Sequence, residues 1–193
     1  MKLIGFYDYT VILTYLSIVS AVIGMVQAAK GSFTAAILCL VASGLCDGFD
    51  GTVARTKKNR TDDEKAFGIQ LDSLCDMVSF GVFPVYLCFC MGTNGVSGWI
   101  CICAYVLCAV IRLAFFNVLE AKRQQVETGS NKFYRGLPVT SISIIFPFLY
   151  LFHGLFAADA FAWILRGMLL IVAFLFVLDF KVKKLNLAKL FSK

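Results

Sequence analysis

Charge is scarce in this chain and histidine almost absent. Of 193 residues only 16% are charged, and one, His153, is a histidine. So little charge excludes an ordinary soluble domain of this length. A single histidine, at the far end of an apolar segment, excludes a histidine-built metal site. There is no internal repeat and no low-complexity linker, which leaves one domain over residues 1–193. No basic stripe with interleaved aromatics stands outside the apolar segments, so no nucleic-acid partner is expected.

What remains is long apolar sequence. The chain is 60% hydrophobic and 15% aromatic, with mean hydropathy +0.82. A helix crossing a bilayer needs about 20 mostly apolar residues. Six stretches qualify, at 8–29, 33–55, 67–91, 96–120, 137–157 and 160–180. An all-α bundle of six transmembrane helices is the expected fold. The first stretch is too long, and its basic flank too thin, for a signal peptide, so it is read as the first span.

Lysine and arginine gather at one end. Lys57, Lys58, Arg60 and Lys65 fall in the polar insertion 56–66, and Lys122, Arg123, Lys132 and Arg135 in 121–136. Five lysines follow in the tail 181–193, whereas 92–95 and 158–159 carry no basic residue and only Lys30 breaks the pattern. The positive-inside rule then puts both termini and both polar loops in the cytoplasm, and the plasma membrane is the expected location. The net charge of +6 has topology and contact with anionic lipid as its explanation.

The eight cysteines all lie in apolar stretches. Cys88/Cys90 and Cys101/Cys103 are two residues apart, which points each pair about 200° apart on a helix. They read as small buried hydrophobes rather than metal ligands or a disulfide framework.

Against this background the segment "LCDGFDGTVAR", residues 45–55, is costly. A carboxylate at bilayer depth costs about 2.5–3.5 kcal/mol on insertion scales. At about 100° per residue, Asp50 lies some 60° from Asp47, with Gly51 and Ala54 on the same stripe. Gly68, Asp72 and Asp76, spaced i, i+4, i+8, share one face of the next span. The two spans are joined by a loop and run antiparallel, so four carboxylates are expected at one depth. Packed acids resist ionisation together, and divalent cations relieve the repulsion. Oxygen-only ligation favours Mg²⁺, Mn²⁺ or Ca²⁺ over zinc. Two such ions could clamp a phosphoryl group; an ion or proton pathway also uses intramembrane acids. Both readings stand at this level.

The order Asp47-x2-Asp50-Gly51-x2-Ala54-Arg55, twelve residues, Gly68-x3-Asp72-x3-Asp76 resembles the motif of the CDP-alcohol phosphatidyltransferases. The family's usual spacer is eight residues, so this loop is longer. The resemblance implies six transmembrane helices, usually a homodimer, and divalent-metal-dependent attack of an alcohol on the phosphate of a CDP-lipid, releasing CMP. By that resemblance Asp47, Asp50, Asp72 and Asp76 hold two Mg²⁺ or Mn²⁺ ions, and Asp76 is also the general base. Thr14, Asp47, Gly51, Ala54, Arg55, Thr61 and Gly68 are the expected contacts of the cytidine diphosphate.

"DMVSFGVFP", "IRLAFFNV" and "FYRGLPVT" look like the phosphatidylserine synthase branch, with Phe115 where that branch often has arginine. The implied substrates are CDP-diacylglycerol, or CDP-archaeol, and L-serine. Arg112, Asn117, Lys132 and Arg135 are the expected serine or phosphate contacts. Arg112 could equally snorkel to headgroups, and Lys132 and Arg135 could serve only topology. Another acceptor, glycerol 3-phosphate or inositol phosphate, is the nearest alternative. An ion-coupled transporter is the alternative of a different class.

Overall fold

The computed structural model describes residues 4–54, 56–57, 59–126 and 133–183. Five helical segments among these are long and apolar enough to cross a membrane: Tyr9–Ala29, Phe33–Ala54, Asp62–Cys90, Gly95–Ala121 and Ala158–Val177. A shorter apolar one, Val139–Leu155, makes the sixth. Outward-facing Leu38, Leu74, Leu107, Ile144 and Ile171 are exposed, as bilayer contact requires. The chain is an integral membrane helical bundle.

A 3-10 turn, Tyr9–Val11, leads into α1, Ile12–Ala29, and Gly31 (φ +75°) turns the chain into α2, Phe33–Ala54. These two helices form the tightest pair of the bundle. Lipid offers no hydrophobic drive between helices, so close approach of small residues and interhelical hydrogen bonds must hold them. Ala21 and Ala28 of α1 and Ala36 of α2 are fully or nearly fully buried. Ser17 Oγ donates to the Ser43 carbonyl at 3.2 Å, Ser43 Oγ returns a bond to the Ser17 carbonyl at 2.9 Å, and Ser20 Oγ donates to Cys39.

The third span starts earlier than hydropathy places it. Thr61 caps α3, Asp62–Asp76, through a capping box with Glu64, so the charged "DDEK" becomes its first turn instead of loop. A π-helical stretch, Met77–Val82, follows directly, and then α4, Phe83–Cys90. Widening a helix frees backbone groups. Here the buried Tyr105 hydroxyl donates to the Phe80 carbonyl at 2.8 Å.

The fourth span, α5, runs Gly95–Val126, well past the expected end at 120. The fifth is α6, Ile142–Tyr150, between 3-10 turns Val139–Ser141 and His153–Leu155. The sixth is α7, Ala158–Val177. Beside the turn between α4 and α5, Arg166 lies over the Trp163 ring at 4.2 Å and donates to the Asn94 carbonyl at 2.9 Å.

The expected loop 121–136 also contains β1, Phe133–Arg135, antiparallel to β2, Lys181–Lys183, with Tyr134 opposite Val182. This small ribbon ties the approach to α6 to the end of α7. Gly136, at φ +72°, follows it, and its N–H bonds to the Phe180 carbonyl at 2.7 Å. A side chain at 136 would begin 3.0 Å from the Leu178 carbonyl.

Candidate metal centre

α1 is the spine of the site. It lies along α2 and also touches α3 and the π-helical stretch, whereas α2 and α3 approach each other little at the backbone. What crosses the gap is carboxylate: Asp47 reaches Asp76, and Asp50 reaches Asp72. One oxygen each from Asp47, Asp50 and Asp72 lies within 4.8 Å of the others. Asp76 is buried, 9% exposed, and is the most enclosed of the four. The helical faces inferred from the spacings therefore do converge, and they enclose a gap rather than a packed seam.

Side chains around the acids fix them. Thr14 Oγ1, buried in α1, donates to Asp50 Oδ2 at 3.1 Å. Ser73, next to Asp72, donates through Oγ to Asn117 Oδ1 of α5 at 2.6 Å. Ser17 Oγ lies 3.5 Å from Ser79 Oγ, one turn beyond Asp76. Hydroxyls thus bridge α1 and α5 to the helices that carry the carboxylates. Supporting bonds of this kind orient ligands and tune what they hold.

The cluster fits divalent cations on its own chemistry. All donors are carboxylate oxygen, and Asp72 Oδ1 is buried without a hydrogen-bond partner. An acceptor left alone at this depth costs about 1–3 kcal/mol. Acid against acid across the gap repels when both are ionised. A cation between α2 and α3 relieves both penalties.

The remaining candidates are scattered more widely. Gly51 and Ala54 sit toward the charged end of α2, and Gly68 is one turn before Asp72 on α3. Thr61 caps α3: its Oγ1 accepts from Glu64 N–H at 3.2 Å. Arg112 is buried, 6% exposed, and its Nε donates to the Leu137 carbonyl at 3.2 Å. It therefore braces the approach to α6 next to Gly136. Arg55 and Lys132 lie outside the described residues, and Arg135 is described only through its backbone place opposite Lys181.

Two groups at the mouth of the site escaped sequence reasoning. Lys57 Nζ bridges Asp8 Oδ2 at 2.8 Å and Glu64 Oε1 at 3.0 Å. Arg60 lies against Gly68. Both read as topology charges in the sequence. Only the length of the loop hinted that they could turn back on the helix.

Known proteins resemble the chain over most of its length. A family model, CDP-alcohol phosphatidyltransferase, matches residues 9–180. A CDP-diacylglycerol–serine O-phosphatidyltransferase of Saccharomyces cerevisiae is 38% identical over 110 residues, 55% of this chain and 38% of that protein. One of Mycobacterium bovis is 32% identical over 127 residues, 65% of this chain and 43% of the relative. An archaetidylserine synthase of Methanothermobacter thermautotrophicus is 32% identical over 155 residues, 78% of this chain and 60% of the relative. The match spans less than half of the yeast and mycobacterial proteins.

Proposed function

The chain belongs to the CDP-alcohol phosphatidyltransferase family, and from that premise we propose that it transfers the phosphatidyl group of CDP-diacylglycerol to the hydroxyl of L-serine. The products are phosphatidylserine and CMP. CDP-archaeol is the alternative donor, in keeping with the name of the archaeal relative. The observation that carries the reading is the meeting of Asp47, Asp50, Asp72 and Asp76 across the gap between α2 and α3. The names of the relatives and the "VSFGVFP" and "RLAFFN" segments favour serine over phosphate-bearing acceptors, which would need a denser cationic pocket.

Asp47, Asp50, Asp72 and Asp76 would hold two Mg²⁺ or Mn²⁺ ions, whose chemistry is to polarise the diphosphate and neutralise charge on the departing CMP. Around them the chain's own residues orient and move protons. Ala54 gives the cytidine diphosphate room, and Thr14, Gly51, Arg55, Thr61 and Gly68 are its contacts. Asp76 takes the proton of the serine hydroxyl as its oxygen attacks the lipid phosphorus and the bond to CMP breaks. Arg112, Asn117, Lys132 and Arg135 receive the serine carboxylate or the lipid phosphate, a task suited to planar guanidinium. The enzyme works as a homodimer in the plasma membrane, with the site open to the cytoplasm and the lipid tails kept in the bilayer.

Purified protein given CDP-diacylglycerol, Mn²⁺ and a panel of alcohols should release CMP with serine. Release only with glycerol 3-phosphate would refute the serine assignment. Silence with every alcohol would refute transfer.

A further inference from the structure

The loop that separates α2 from α3 is held in place along most of its described length. Tyr9 Oη lies 3.1 Å from Thr56 Oγ1, Lys57 is clamped between Asp8 and Glu64, and Thr61 closes the capping box. Arg60 sits inside this fixed frame. Its side chain turns back along α3, donates from one terminal nitrogen to the Glu64 carbonyl at 3.1 Å, and lies across Gly68. A Cβ on Gly68 would stand 2.7 Å from that same nitrogen.

The guanidinium is short of acceptors. Its Nε is buried and has no hydrogen-bond partner. Lys57 is paired with Asp8 and Glu64, and Lys65 with Asp62 at 3.0 Å. Arg60 has no carboxylate partner among the described residues. A half-buried guanidinium whose Nε lacks a partner suits an anionic oxygen, above all a phosphate.

Its position says which anion. Gly68, Asp72 and Asp76 share one helical face, so the Gly68 that Arg60 covers lies one turn, about 6 Å along the axis, before Asp72 toward the charged end. A nucleoside diphosphate whose phosphates meet the acids extends along that face toward the loop. We propose that Arg60, delivered by the longer loop onto the Gly68 platform, binds the phosphate of the cytidine nucleotide and fixes the nucleotide end of the CDP-lipid. The inference rests on the reading given under Proposed function. It adds a nucleotide contact that lies outside the motif positions.

The test is CMP binding by the full-length protein in detergent with Mn²⁺, read by calorimetry, together with steady-state CMP release. Arg60→Gln should weaken CMP binding and raise KM for the CDP-lipid about tenfold, with KM for serine unchanged. Arg60→Lys keeps a cation on the same loop and should fall between the two. Gly68→Ala pushes the guanidinium aside, so adding Arg60→Gln to it should cost little more. CMP affinity unchanged in both Arg60 variants would overturn the proposal, as would a rise in serine KM equal to that for the lipid. Wild-type protein that binds CMP but releases none from CDP-lipid would instead refute phosphatidyl transfer and leave the Arg60 contact intact.

Discussion

Thr14 on α1 donates its hydroxyl hydrogen to Asp50 Oδ2 on α2, 3.1 Å away. The bond ties the Asp50 carboxylate to α1. Thr14→Val should therefore raise the Mn²⁺ concentration for half-maximal activity about tenfold or more, the usual cost of losing a bond that orients a ligand. Thr14→Ser keeps the hydroxyl and should stay near wild type. Metal titrations of CMP release at saturating lipid and serine check both.

Asp76 is buried and touches Asp47. Asp76→Asn keeps the volume and removes the proton acceptor. Turnover should fall to background while CDP-lipid binding is largely retained. Equilibrium binding alongside CMP release separates the two, and persisting turnover would remove Asp76 from the role of base.

Gly136 holds φ +72° with the Leu178 carbonyl 3.0 Å from where a side chain would start and Arg112 Nε at 3.6 Å. Left-handed backbone costs a residue with a side chain about 1–2 kcal/mol. Gly136→Ala should lower the melting temperature in detergent and loosen Arg112 from the Leu137 carbonyl. An unchanged melting curve would show that the turn is not strained.

Asp8 at the head of the first span has its carboxyl lowered to about 2, chiefly by the hydrogen bond from Lys57 and then by that from Thr10. A depressed folded-state value means stabilisation that is complete above the ordinary carboxylate range and lost as pH falls through about 2. The stability difference between wild type and Asp8→Asn should be present at pH 6 and shrink steadily below pH 4. Thermal unfolding at a series of pH values reads it. A difference that grows on acidification would reverse the assignment.

Much of this architecture is legible in the sequence because the bilayer leaves few options. Asp47/Asp50 and Asp72/Asp76 are helix-spaced acids in apolar segments, and period and depth alone predict their meeting. The same logic finds the spans but not their ends. The start of α3 at Asp62 depends on Thr61 and Glu64 exchanging bonds, and hydropathy scores those residues as loop. The reach of α5 to Val126 and the pairing of Phe133–Arg135 with Lys181–Lys183 depend on contacts between distant parts of the chain. Nor does spacing reveal that α1 packs along α2 through Ser17, Ser43 and Thr14 and also touches α3. Arg60 was hidden for a simpler reason: a cation beside a membrane span is ordinarily topology.

The π-helical stretch Met77–Val82 is the join between the half of the third span that carries Asp72 and Asp76 and the half anchored by Phe83 and Leu87. A wide turn accommodates one residue more than an α-turn does. Were the same residues wound as unbroken α-helix, one half would turn by about 100° against the other. With α4 held in the core, the carboxylates would swing away from Asp47 and Asp50. The wide turn, held by the hydroxyl of Tyr105, is thus the phase adjuster of the span: it decides which way the acids look.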